Sequence, residues 1–153
     1  MKFFVKLFLS AFLVFSVPFS VGAQDDVVVT KQYDDGGMYE GTFKNGLQHG
    51  IGTYRLPNGY EYSGEWVDGE ILGVGVAKFP NGSVYEGNFI KGKPEGSGKI
   101  IFADGGTYEG TWLDGKITGQ GIAVYANGSR YVGGFLEAMH HGQGVMTNSD
   151  GYV

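Results

Sequence analysis

The sequence predicts an all-β fold built from repeated β-hairpins and preceded by a short apolar leader. Three observations carry that expectation. A tyrosine recurs every 23 residues, as Tyr39, Tyr62, Tyr85, Tyr108 and Tyr131. Two places after each stands a glycine (Gly41, Gly64, Gly87, Gly110, Gly133), and two further on an aromatic (Phe43, Trp66, Phe89, Trp112, Phe135). Between these blocks lie turn signals of the Asn-Gly and Asp-Gly type, which join alternating apolar runs into hairpins. A fixed period in this range marks a repeat array, in which each unit packs mainly on its neighbours.

Composition supports order. The chain holds 29 glycines, but aromatics make up 15% of it, and disordered chains are poor in aromatics. The glycines also keep the 23-residue register, which reads as backbone geometry rather than flexible filler.

Residues 1–23 have the layout of a cleavable helical signal peptide. Lys2 and Lys6 form the basic start, Leu7 to Val17 the apolar segment, and Pro18 breaks it ahead of Val21-Gly22-Ala23. Cleavage is expected near Ala23-Gln24. An uncleaved anchor is the rival reading, but the apolar stretch ends at Val21 and is shorter than the roughly 20 residues a spanning helix needs. The leader implies export, to the periplasm or as a secreted protein. Loss of Lys2 and Lys6 leaves 9 basic residues against 16 acidic ones, a net charge of −7. That balance opposes nucleic acid as a partner and makes membrane contact weak. There is no cysteine, so stability must come from packing rather than disulfides.

Residues 24–38 form an N-terminal half-repeat. Val27-Val28-Val29-Thr30-Lys31-Gln32-Tyr33 reads as a cap strand by its β-branched content, and Asp34-Asp35-Gly36 ends it. Five repeats follow over residues 39–153. Each opens with a strand such as Tyr39-Glu40-Gly41-Thr42-Phe43, whose period of two puts both aromatics on one face and the polar residues on the other. The turns at Asn45-Gly46, Asp68-Gly69, Lys91-Gly92 and Asp114-Gly115 place glycine where positive φ is cheap. Ala138 is the exception, and predicts an altered last turn. A glycine pair (Gly50 and Gly52, Gly73 and Gly75, and so on to Gly142 and Gly144) opens each second strand. Both members are expected to leave room for aromatics of adjoining strands. Pro57-Asn58-Gly59, Pro80-Asn81-Gly82, Ala103-Asp104-Gly105 and Ala126-Asn127-Gly128 make the turns between repeats.

The pattern Tyr-Glu-Gly-x-Phe/Trp-x-x-Gly-x-x-x-Gly-x-Gly resembles the MORN (membrane occupation and recognition nexus) repeat, in its bacterial exported type, and covers Tyr39 to about Gly151. The resemblance implies an elongated single-layer antiparallel sheet with a twisted, shallow groove lined by the repeated aromatics. It also implies a module that binds extended or helical protein segments. Departures from the pattern are Ala138, Gly134 before the last aromatic, and Leu72, Glu95 and Thr118 where histidine is usual. Strand spacing makes five and a half repeats a rod about 50 Å long. Its final strand, Val145 to Asn148, is expected as a polar edge. The apolar edge at Val27 to Val29 is the better candidate for self-association.

Catalysis finds little support. His49 and His141 occupy equal places about 40 Å apart, and adjacent His140 and His141 point to opposite sides of a strand, so no zinc-like set forms. Glu40, Ser63, Glu86, Glu109 and Val132 make one row, in which Glu86 and Glu109 stand about 10 Å apart. A solvated polar face explains that row better than glycoside hydrolysis does. A Gly-x-Gly without a following helix is a weak nucleotide signal. The expectation is therefore a non-enzymatic module with no cofactor and no metal, serving protein-protein interaction or as a scaffold in the cell envelope. The proposed partner-binding groove is Tyr39, Phe43, Tyr62, Trp66, Tyr85, Phe89, Tyr108, Trp112, Tyr131 and Phe135, on a face that a single sheet leaves uncovered. Lipid association and glycan stacking on the rings are the alternatives.

Overall fold

The structure, a computed structural model, describes residues 27–152; the leader and its cleavage site lie outside the described residues. Eleven strands form one sheet in sequence order, every neighbouring pair antiparallel. They are β1 (Val29–Gln32), β2 (Met38–Lys44), β3 (Leu47–Arg55), β4 (Glu61–Val67), β5 (Glu70–Lys78), β6 (Val84–Ile90), β7 (Lys93–Ile101), β8 (Thr107–Leu113), β9 (Lys116–Val124), β10 (Arg130–Leu136) and β11 (Met139–Thr147). The single-layer sheet predicted from the repeat is thus the observed architecture.

Each repeat is a seven-residue strand, a two-residue turn and a nine-residue strand. The turn residues Asn45 and Gly46 have φ of 52° and 80°, the left-handed pair that a tight hairpin needs to match the strands' twist. The connections between repeats differ. In Pro57-Asn58-Gly59 the Gly59 N–H donates to Leu56 O, the Leu56 N–H donates to Tyr60 O, and Asn58 Oδ1 accepts from the Tyr60 N–H. This three-residue loop has its glycine at φ 92°.

The last tight turn corrects the expectation drawn from Ala138. It keeps the geometry of the others, with Glu137 at φ 49° and Ala138 at φ 65°. The reason is a repeat-to-repeat hydrogen bond. Ala138 N–H donates to Ile117 O at 3.0 Å, as Gly69, Gly92 and Gly115 donate to Gln48, Ile71 and Pro94 one repeat earlier. That bond holds the turn in shape against the unfavourable left-handed alanine.

The paired glycines also divide differently from expectation. Gly52 does leave room for an aromatic, since a methyl there would lie 2.5 Å from Tyr39 Cε2. Gly50 does not; it sits at φ 75° in a bulge, where Gly41 faces Gly52 and Phe43 faces Gln48, so three β3 residues oppose Thr42 alone. The same register shift recurs in every hairpin of the five repeats. Bulges bend the strand and increase its twist, and their repetition curves the whole sheet.

Among the described residues, β1 and β11 are the two strands at the edges of the sheet. The C-terminal edge is longer than predicted: it is the full nine-residue β11, with Met139, Val145 and Met146 all exposed. At the other end four-residue β1 covers only Met38 to Gly41 of β2.

Candidate interaction surface

Alternation gives the sheet two unlike faces. On one face the five tyrosines and their partners form a continuous ladder of perpendicular rings. Tyr85 meets Phe89 of its own strand at 5.1 Å and Trp112 of the next repeat at 4.9 Å, both edge-to-face. Tyr39, Tyr62 and Tyr108 repeat the arrangement with Phe43 and Trp66, Trp66 and Phe89, and Trp112 and Phe135. Each hydroxyl reaches over its glycine pair and donates to a carbonyl three residues on: Tyr39 to Thr42, Tyr62 to Glu65, Tyr85 to Asn88, Tyr108 to Thr111 and Tyr131 to Gly134. Trp66 and Trp112 donate their indole N–H to Gly52 O and Gly98 O. Burial pushes the Tyr85 phenol up to about 12, aided by nearby Glu95, and raises the Tyr62 phenol further, aided by Glu65.

The structure therefore places the ten predicted groove residues in one line, as the spacing required, and turns nine of them inward. All except Phe43 are 0 to 6% exposed. Their area is used against one another, which leaves little of these nine side chains open to solvent. On β11, His140 stacks on Tyr131 at 3.7 Å with an interplanar angle of 12° and bonds Tyr125 Oη at 2.6 Å. Sequence reasoning treated His140 only as a possible ligand. Its signal was positional, because it aligns with Gln48, Ile71, Pro94 and Ile117 on the ladder face. His49 lies 3.5 Å from Asp68. Among the described residues no three His, Cys, Asp or Glu side chains gather as a metal set.

The opposite face is open. Its main feature is a trough of about 820 Å³ crossing β5 to β10. Gly87, Gly98, Gly110 and Gly121 form its floor, because their missing side chains would point to the tyrosine face. Val74, Ser97, Thr111 and Gln120 line one side; Glu86, Lys99, Glu109, Ile122 and Val132 line the other. The second group lies on one cross-strand row. Register carries it from Val76 through Glu86, Lys99, Glu109, Ile122 and Val132 to Val145 on the edge. Ile122 and Val132 are each 37% exposed, Val76 40% and Val145 51%, which is unusual for aliphatic side chains in line. Glu86 and Glu109 flank Lys99, whose Nζ is 4.0 Å from Glu109; Glu86 has no ion-pair partner among the described residues.

Comparison with known proteins agrees with this architecture. No curated protein sequence matches the chain. Among solved structures it is similar to the TCP domain of SAS-4 (dCPAP) from Drosophila melanogaster, solved in complex with a proline-rich motif of Ana2 (dSTIL). The identity is 17% and the TM-score 0.51 over 81% of this chain and 67% of that one, a likeness of fold. The MORN repeat family model matches five consecutive segments, residues 39–59, 62–84, 85–107, 108–130 and 131–151. With nearly all of the described sheet covered by that match, the chain belongs to the MORN repeat family.

Proposed function

We propose that this protein is a non-enzymatic interaction module whose trough holds an extended segment of a partner protein, and that it acts as a scaffold after export to the periplasm or cell exterior. The observation that carries the reading is the contrast between faces. The aromatic ladder is closed on itself, whereas the other face keeps exposed aliphatics, hydrogen-bonding side chains and a glycine floor in one open trough. A buried row of rings gives the rigidity that a binding surface needs, and the ten ladder residues serve binding by holding the trough's shape. The SAS-4 domain, with its bound proline-rich motif, is a precedent for this kind of sheet as a peptide receptor. The alternatives fit less well. A glycan would need rings for stacking, and the trough's lining carries none, while an anionic lipid surface would meet Glu86 and Glu109.

The test is selection of a randomised display library on the mature chain, with the selected peptides then measured in solution against wild type and against Val132→Asp and Gln120→Lys. Loss of binding in both variants, with native circular dichroism, supports the reading. Peptides that bind both variants as well as wild type, or a selection that yields none, overturn it.

A further inference from the structure

We propose that the trough recognises a polyproline-II segment carrying two basic residues three positions apart, followed three positions later by an aliphatic residue. This rests on the peptide-binding reading above and names the ligand's chemistry. Three observations lead to it.

The first is the saturated ladder. Strands β2 to β10 each have hydrogen-bonded neighbours on both sides, so a segment lying across them cannot join the sheet as a strand. It must cross the strands with its own backbone groups left to water. Polyproline II is the conformation that does this, since it has no internal hydrogen bonds and a fully solvated backbone. Proline also lowers the ordering entropy that such a ligand loses on binding.

The second is pitch. Equivalent residues of successive repeats are two strands apart, about 9.6 Å. Polyproline II advances about 9.3 Å in its three-residue turn, so residues i, i+3 and i+6 share one side at nearly the same spacing. Over two repeats the mismatch stays below about 1 Å. The row Glu86, Glu109, Val132 is therefore matched residue for residue by a ligand with the same period of three.

The third is charge. Glu86 and Glu109 are exposed carboxylates on that row, and the single Lys99 between them lies within ion-pair distance of Glu109 only. The pair of acids is thus undercompensated, and a cation above each restores balance. Beyond Glu109 the row turns aliphatic at Ile122, Val132 and Val145. The ligand's third contact is accordingly an aliphatic side chain over Val132.

The probe is a fluorescein-labelled proline-rich peptide with two arginines three positions apart and a leucine three further on, titrated against the mature chain by anisotropy. Four controls place the arginines two positions apart, place them four positions apart, replace them by glutamine, or replace them by glutamate. The receptor variants are Glu86→Lys, Glu109→Lys and their combination, each checked for native melting; all lie on exposed strand positions. The inference expects the three-apart peptide to bind at least about tenfold tighter than every control on wild type. It also expects the double variant to reverse the order, preferring the glutamate peptide. Equal binding of all spacings, an unchanged order on the double variant, or no binding of the arginine peptide overturns it. If library-selected peptides still lose binding to Val132→Asp in any of those cases, the peptide-binding reading stands and only the ligand chemistry falls. If they do not, both fall.

Discussion

Replacing Gly98 by alanine should be among the most damaging single changes in the chain, even though it adds one methyl group. The new Cβ would sit 2.5 Å from Tyr85 Cε2 and closer still to its hydroxyl, against an ordinary carbon contact of about 3.5 to 4 Å. The ring would have to retreat by about 1 Å. It has nowhere to go, because Phe89 and Trp112 enclose it at 5.1 and 4.9 Å and its hydroxyl is held by Asn88 O. Overpacking of this kind costs about 1 to 3 kcal/mol. Disturbing two edge-to-face pairs and one hydrogen bond raises the expected loss to about 3 to 5 kcal/mol. Gly96 supplies the control two residues away. A methyl there meets nothing within 4 Å, and only its φ of 71° opposes alanine, a penalty of roughly 1 kcal/mol after the unfolded chain's lost freedom is counted. Urea unfolding followed by tryptophan fluorescence measures both. If Gly98→Ala is no more destabilising than Gly96→Ala, the division of each glycine pair into a packing member and a bulge member is wrong.

Further outcomes follow from the same geometry. Ala138→Gly should stabilise the chain by about 0.5 to 1 kcal/mol, since it relieves a left-handed alanine while keeping the bond to Ile117 O; an unchanged or lower melting temperature would contradict this. Trp112→Ala should cost about 3 to 5 kcal/mol by opening the ladder between Tyr85 and Tyr108. Its effect on binding should track the loss of folded protein, as seen when urea unfolding and peptide binding are measured together. Stability should fall at alkaline pH. The folded phenols of Tyr62 and Tyr85 titrate above the ordinary value of 10.0, so their contribution is complete below pH 10 and is lost as pH rises through about 12 for Tyr85. Thermal melts with tyrosinate absorbance from pH 9 to 12 test it; ionisation of Tyr62 and Tyr85 at the ordinary value with the fold intact would refute it.

Much of the fold was legible because the 23-residue period and the two-residue alternation are both direct consequences of strand geometry. The line of Tyr, Phe and Trp could be placed on one face from spacing alone. What spacing could not supply was the fate of that face. Whether a row of rings is open depends on how far each reaches, and here Tyr85 extends over Gly87 and Gly98 while Trp112 closes its side. The bulges were hidden for a related reason. Gly50 and Gly52 look alike in the sequence, and only the register of Gln48 against Phe43 separates a left-handed bulge residue from a space-making one. Ala138 shows the reverse limit: local propensity pointed to a changed turn, and a hydrogen bond from the preceding repeat overrode it. The row of Glu86 and Glu109 was visible from the start as a polar row. Its meaning depended on the curvature that makes a trough of it.

The most direct test of the central claim, that the trough and not the ladder side meets the partner, is backbone amide mapping. The isotopically labelled mature chain would be titrated with a peptide selected on it, and shift changes recorded for every glycine. The account predicts the largest changes at Gly87, Gly98, Gly110 and Gly121, with small ones at the turn glycines Gly69, Gly92 and Gly115. Changes concentrated at those turns, or along β11, with the trough amides unmoved, would contradict it.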